Sequence, residues 1–497
     1  MQLFIDLQHS LNAHKDRNAF FINGIFYKYS DLTQTISRIR KSIQSHTSET
    51  EKNIGLVAND DLETYAGILA LWFEGKGYVP ISPENPLDRN KNIIHQANLK
   101  TIIDSSNIPL IPEFNLIQSK KLSTVPLDLK PKNVSDQELV YILFTSGTTG
   151  QPKGVPITRS NLSGFITAFK EMGCDINEKD RCLQMFELTF DLSVISYLFP
   201  LLYGACIYTI PKDKIKYSYI FELMDEQKLT FSLMVPSMLH FLRPYFNEIQ
   251  VAEMKYSLLC GEALSQDITE EWSRCVPNAK ILNVYGPTED TIFCTEYTFD
   301  RTGKNKSHNG VLSIGKAMKG NITIVINENT QVLPYGNTGQ LCLAGIQLTP
   351  GYWNNEEKNK EAFFQTDHNG KQTRFYKTGD LCYIDEDGDI LYIGRSDNQI
   401  KVQGFRIELS EIEFHVKTFL EKINVVAVAI ADALGNIEIG LIIESKGFNI
   451  TPLQGYMKAK MPAYMIPKKI EFIDSFPLNT NGKIDRNKLR QLIYKVK

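Results

Sequence analysis

Strand-like and helix-like stretches alternate through the first hundred residues, and this rhythm restricts the fold more than any other feature of the chain. Residues 26–29 (FYKY) read as a strand, and Ser30 is placed to cap a helix on which Leu32, Ile36, Ile39 and Ile43 recur at helical spacing. Residues 54–58 read as a buried strand. Asn59-Asp60-Asp61 marks the next helix start, and the segment LETYAGILALWFEG (62–75) is apolar almost all round, as expected of a helix covered on most sides. Strand signals return at 78–81 and 101–104. Repeated βαβ units of this kind predict an α/β fold with a mostly parallel sheet and helices on its faces.

At 497 residues the chain has room for about three domain-sized units. Its 42% hydrophobic content is enough for a large core and excludes a disordered chain. Lys and Arg number 54 against 57 Asp and Glu, a net charge of −3, so there is no electrostatic case for nucleic acid or for a polybasic membrane anchor. The N-terminus lacks an apolar signal core. The greasiest stretch, 196–210, contains Pro200 and Gly204 and is shorter than the ~20 apolar residues of a spanning helix, so it reads as core and no membrane insertion is expected. Eight cysteines lie scattered with no C-x-x-C, which predicts reduced thiols and a cytoplasmic address. The histidines form no metal-ligand spacing.

Toward the C-terminus the texture changes. Asp387-Gly388 in DEDGDILYIGR is a hairpin signal. Beyond Arg395 come one charged helix (408–420), two short strands (VVAVAIAD and EIGLIIES) and a Lys-rich tail. These place a boundary near Asp397, between a large domain at 1–396 and a small α+β domain at 397–497.

The strongest local motif is YILFTSGTTGQPKG (141–154), an apolar strand that runs into a loop of glycines and hydroxyls closed by Lys153. Backbone N–H groups, hydroxyls and an ammonium on such a loop can wrap a polyphosphate. It is not a Walker A loop, since Gly154 follows the lysine; taken alone it is equally an ordinary turn. Four further motifs follow in order: NVYGPTE (283–289), YKTGD (376–380), GRSDNQIKVQGFRIE (394–408) and NGKIDR (481–486). Together the five resemble the core motifs of the adenylate-forming superfamily, and the resemblance spans residues 30–486.

That resemblance implies a large multi-subdomain N-terminal domain of mixed and parallel sheets with helices plus a small β-barrel, and a small mobile C-terminal lid. It implies ATP and Mg2+ as cofactors and two half-reactions: a carboxylate attacks the ATP α-phosphate to give an acyl-adenylate and pyrophosphate, then a thiol takes the acyl group. Thr145, Ser146, Gly147, Thr148, Thr149 and Gly150, with Lys153, would hold phosphates. Asn283, Val284, Tyr285, Gly286, Pro287, Thr288, Asp380, Tyr392 and Arg395 would surround the nucleoside and α-phosphate, and Glu289 would bind Mg2+. Lys483 would be the catalytic cation bridging the attacking carboxylate and the α-phosphate. Asp397 would be the lid's hinge, and Gly404 would leave room for a pantetheine arm.

Within the superfamily, FDLS (190–193) matches the amino-acid adenylation branch, in which the Asp pairs with the substrate ammonium. Asp191 is otherwise a natural N-cap for the apolar run that follows. The matched pocket positions Leu192, Ile195, Leu233, Leu258, Cys260, Val284, Ile292 and Phe293 are uncharged and mostly bulky, which favours a compact aliphatic amino acid. Cys260 and the closing stretch resemble the stand-alone ligases that load D-alanine onto a carrier protein. Phe293 and Ile195 depart from that pattern and keep L-alanine, valine and proline open, and an acyl-CoA synthetase remains a third reading. Gln403 stands where many relatives carry a cationic or imidazole residue. The expected acceptor is the phosphopantetheine thiol of a separate carrier protein, or free CoA.

Overall fold

The computed structural model describes residues 2–147, 150–421, 423–477 and 484–495. It divides into two compact units. The larger comprises Met1–Pro83, Ile94–Leu143 and Gly154–Ser396; the smaller comprises Glu84–Ile93, Phe144–Lys153 and Asp397–Lys497.

The larger unit is α/β, as the alternation predicts. A six-stranded sheet runs in the order Asn115–Gln118, Thr101–Asp104, Asn53–Val57, Gly77–Ile81, Leu139–Thr145, Lys153–Thr158. Asn53–Val57 pairs in parallel with both of its neighbours. The expected strands thus lie within a residue of their observed ends. Helix Leu62–Phe73 starts as Asp61 implies, for its carboxylate accepts the Thr64 N–H at 3.0 Å, and all its residues except Glu63 are buried. The helix at Tyr29–His46 is capped differently from expectation. Its N-cap is Lys28 and Ser30 lies inside the first turn. Asp31, at the third helical position, reaches back to accept the Lys28 N–H at 2.8 Å, so the side-chain contact at this end comes from a carboxylate inside the helix and not from a capping hydroxyl.

A second, nine-stranded sheet carries five neighbours that matter for the site: Lys280–Tyr285, Tyr256–Leu259, Phe231–Met234, Arg181–Gln184 and Cys206–Thr209, all parallel. Parallel strands buried on both faces put their loops, and any ligand, at their C-terminal ends. The greasy 196–210 stretch is core, as expected: it forms the end of helix Leu192–Leu202 and strand Cys206–Thr209. A five-stranded antiparallel sheet, centred on the 14-residue strand Lys371–Ile384, completes the unit. Its last strand, Ile390–Arg395, returns through the turn expected at Asp387-Gly388, where Gly388 has φ +85°.

In the smaller unit, hairpin Gln399–Val402/Phe405–Glu408 leads into helix Leu409–Leu420, and strands Val425–Ala431 and Ile437–Glu444 pair antiparallel. The hairpin, the third strand of that sheet, Lys469–Ile473, and the helices Thr451–Lys460 and Arg486–Lys495 have no counterpart in the sequence expectations. All eight cysteines are buried, and none is joined in a disulfide. No helix among the described residues is long and apolar enough to cross a membrane.

Candidate active site

Tyr285 ends a central strand of the nine-stranded sheet, while Asp380 and Arg395 sit opposite each other on adjacent strands of the five-stranded one. The fold closes the three on one another. The Tyr285 hydroxyl donates to Asp380 Oδ2 at 2.5 Å, and Arg395 Nη1 meets Asp380 Oδ1 at 2.7 Å. Arg395 Nη2 also donates to the Thr378 carbonyl, and the Asp380 N–H donates to Thr378 Oγ1. Burial, then the neighbouring Asp380 charge, raises the Tyr285 phenol well above its ordinary range, so it remains a donor. Three residues from three separate sequence motifs thus share one hydrogen-bonded cluster, and Tyr392 packs against the apolar cluster to which Tyr285 belongs. The Asn283 amide, 3% exposed, donates to the Ser313 carbonyl at 2.9 Å, and Val284 is buried beside it.

The turn after Tyr285 is sterically tight. A side chain at Gly286 would come within 2.3 Å of Phe293 Cα, which excludes every residue with a Cβ. Pro287 and Thr288 lead into the short turn Thr288–Asp290. Glu289 is fully buried and accepts a hydrogen bond from the Tyr352 hydroxyl at 2.6 Å. Past Asp290 the backbone is strained: Thr291 has φ +51° and Ile292 φ +77°, rare for β-branched side chains. Gln347, fully buried, restrains them. Its amide donates to the carbonyls of Asp290, at 3.1 Å, and Phe293, at 2.9 Å, and its backbone carbonyl accepts from the Thr291 hydroxyl. Neither Gln347 nor Tyr352 stands out in the sequence, since each is an isolated residue outside the motifs that point to the site. Tyr352 follows Gly351, at φ +143°, which is its one available signal.

Asp191 occupies the N-cap position of helix Leu192–Leu202 at 5% exposure, yet its side chain makes no capping hydrogen bond. Its charge acts instead on the buried phenols of Tyr78 and Tyr141, both raised mainly by burial. The capping alternative therefore lacks its defining bond. Leu192, Ile195, Leu233, Leu258, Cys260, Val284, Ile292 and Phe293 are all buried in the main core cluster. The large Phe293 is accommodated by edge-on contact with Phe165, at a centroid distance of 5.0 Å, and with Phe169.

The Gly/Ser/Thr loop belongs to the smaller unit, where carboxylates meet its donors. The Gly147 N–H donates to Glu411 Oε2 at 3.1 Å, and Lys153 Nζ lies 3.3 Å from Glu408 Oε1. Ser146 Oγ donates to the Arg406 carbonyl and accepts from the Glu408 N–H. Thr145 donates to the Lys153 carbonyl. Gly150, at φ +75°, lies so close to the Phe414 ring that a Cβ would approach to 2.5 Å. Glu411 is also paired with buried Arg89 at 2.7 Å. Asp397, exposed, accepts the Gln399 N–H, and Gly404 (φ +83°) follows Gln403 (φ +50°) in the tight turn of the 399–408 hairpin. That turn gives Gly404 a conformational role independent of any pantetheine. Thr148, Thr149 and Lys483 lie outside the described residues.

The profile of the AMP-binding enzyme family matches residues 7–353. The chain is 31% identical, over 93% of its own length and 93% of the relative's, to the D-alanine–D-alanyl carrier protein ligase of Bacillus velezensis. It is 28% identical over 98% of its length to tyrocidine synthase 1 of Brevibacillus parabrevis, but spans only 44% of that longer protein. Against the dimodular nonribosomal peptide synthase of Bacillus subtilis the identity is 29% over 95% of the chain, which spans 20% of that relative. A crystal structure of the Vibrio cholerae adenylation domain AlmE with glycyl-adenosine-5'-phosphate superimposes with a TM-score of 0.87 at 23% identity, covering 99% of this chain and 97% of that one. The chain belongs to the AMP-binding enzyme family, the adenylate-forming group that its five motifs resemble.

Proposed function

We propose that this protein activates a small amino acid, D-alanine foremost, and loads it onto the phosphopantetheine thiol of a separate carrier protein. A carboxylate oxygen of the amino acid attacks the α-phosphorus of ATP and pyrophosphate leaves. The carrier thiol then attacks the carbonyl carbon of the aminoacyl-adenylate, and AMP leaves. Asp191 carries the reading. It lies in the FDLS segment that matches the amino-acid adenylation branch, and it is buried at a helix start, where a carboxylate favours a substrate that bears an ammonium over a simple acid. The similarity to the Bacillus velezensis ligase supports D-alanine as the first substrate to test.

The Tyr285–Asp380–Arg395 cluster suits the nucleoside end of ATP. Asp380 is the acceptor for ribose hydroxyls, Tyr285 offers its ring face to the adenine, and Arg395 directs its planar fork toward ribose or α-phosphate. Thr145, Ser146, Gly147, Gly150 and Lys153, with Thr148 and Thr149, are the proposed phosphate loop, and Lys483 is the proposed catalytic cation. Mg2+ fits Glu289: the ion takes one or two protein carboxylates while phosphates and water supply its remaining oxygens, and Glu289 is a buried carboxylate oriented by a phenol donor. When bound, the ion would neutralise phosphate charge as pyrophosphate departs. Uncharged walls from Leu192 to Phe293 favour a short aliphatic side chain.

Amino-acid-dependent pyrophosphate exchange, run with D- and L-amino acids and with acetate, tests the reading. Exchange is expected with D-alanine above all others. Exchange with acetate or a fatty acid alone would remove the role given to Asp191. Asp191→Ala should raise the amino-acid KM by the equivalent of about 2–5 kcal/mol, and a wild-type KM would return Asp191 to a purely structural place. Lys483→Ala should abolish adenylate formation while ATP binding persists.

A further inference from the structure

We propose that Tyr352 is a positioning residue that fixes the metal-binding geometry of Glu289; this rests on the reading of Glu289 as the Mg2+ ligand. The Tyr352 hydroxyl donates to Glu289 Oε1 at 2.6 Å and lies 3.3 Å from the Tyr376 hydroxyl, with all three side chains at or below 4% exposure. A carboxylate has about four acceptor sites, so a phenol on one of them orients the plane without exhausting the group's capacity as a ligand. Second-layer donors of this kind set which lone pair a ligand presents.

The backbone around Tyr352 is built to hold the phenol in place. Its N–H donates to Asn359 Oδ1 at 2.6 Å, and its carbonyl accepts from Asn359 Nδ2 at 3.1 Å. Earlier in the same turn, the Thr349 N–H donates to the Glu289 carbonyl at 2.8 Å. The turn at 349–352 therefore grips Glu289 twice, once by its main chain and once by its carboxylate. Arg374 anchors the same turn through the carbonyls of Thr349 and Pro350 and stacks on Phe363, which in turn contacts both Tyr352 and Tyr376. A buried phenol this heavily braced, with its hydroxyl on a carboxylate, is a device for orientation.

The test is direct Mn2+ binding, read by electron paramagnetic resonance of the free ion, to the full-length protein with α,β-methylene-ATP. Wild type, Tyr352→Phe and Glu289→Gln are compared, with the Mg2+ dependence and the amino-acid KM of pyrophosphate exchange measured alongside. Tyr352→Phe keeps the ring and should weaken Mn2+ binding by about tenfold or more while leaving the amino-acid KM unchanged. Wild-type Mn2+ affinity in Tyr352→Phe, with affinity lost in Glu289→Gln, would overturn the proposal and leave the metal reading intact. Wild-type affinity in Glu289→Gln would overturn the metal reading itself, and the role of Tyr352 with it. Should Tyr352→Phe fail to fold, Tyr352→Leu carries the test by removing the same hydroxyl with a smaller apolar side chain, and unchanged Mn2+ affinity there would refute the proposal.

Discussion

Around Asp380, a tyrosine and an arginine from distant stretches of the larger unit close on one carboxylate, which both orient by direct hydrogen bonds. Around the loop that follows strand Leu139–Thr145 the arrangement is reversed: its N–H, hydroxyl and ammonium donors meet the Arg406 carbonyl and the carboxylates of Glu408 and Glu411 within the smaller unit. In the first region the protein presents an oriented acceptor, suited to sugar hydroxyls. In the second, carboxylates occupy donors of the kind a phosphate would seek. The groups proposed for ribose and those proposed for phosphate therefore differ in what ATP must displace: little in the first case, anionic side chains in the second.

The largest effect should come from disrupting the first region. Asp380→Ala breaks the 2.7 Å pair with Arg395, whose side chain is 10% exposed, and breaking a buried ion pair from one side costs about 3–5 kcal/mol. Denaturant unfolding should show that loss, and ATP affinity should fall with it. A variant as stable as wild type, with undiminished ATP binding, would mean that the cluster is no pre-formed acceptor. In the second region, Gly150→Ala should cost about 1–3 kcal/mol, because it forces an L-residue to φ +75° and drives a methyl group into Phe414. The same unfolding measurement detects it, and an unperturbed transition would show that the loop is not held as described.

Both regions are legible in the sequence to different degrees, for physical reasons. Asp380, Arg395, Tyr285 and Glu289 lie in motifs dense enough to mark a site, and the strand-then-loop texture at 141–154 is visible from its apolar run and its glycines. The partners that hold them are not. Tyr352, Gln347 and Ser313 act through hydrogen bonds to residues far apart in sequence, and no periodicity marks such a contact. Glu408 and Glu411 belong to the charged helix expected at 408–420, yet folding buries both. Lys469–Ile473 gives no strand signal because every one of its residues is only half-buried, without the apolar run that reveals the central strands. The expectation for Ser30 fails because the helix begins at Tyr29 with Lys28 at its N-cap, so the serine already lies in the first turn and the side-chain contact comes from Asp31.

A milder substitution probes the proposed phosphate loop. Glu408→Gln keeps the shape of the side chain but removes the charge that Lys153 faces at 3.3 Å in a buried setting. If that carboxylate competes with phosphate for the lysine, the variant should bind ATP more tightly, by about tenfold, or ~1.4 kcal/mol. Equilibrium dialysis with labelled ATP measures this directly, and an unchanged or weakened affinity would show that Lys153 serves Glu408 structurally.

The smallest effect is expected from Tyr285→Phe. It removes only the hydroxyl that donates to Asp380 and keeps the ring proposed to face the adenine. Asp380 retains Arg395, so its carboxylate is not stranded, and the loss should be the net worth of one hydrogen bond, about 1 kcal/mol or less. Because the hydroxyl orients Asp380 while the ring is the part proposed to face the base, ATP affinity should fall while an analogue lacking the ribose 2'-hydroxyl loses proportionally less. Equal losses for ATP and the deoxy analogue would place the effect on the adenine side, and the description of Asp380 as an acceptor oriented for the sugar would then have to give way.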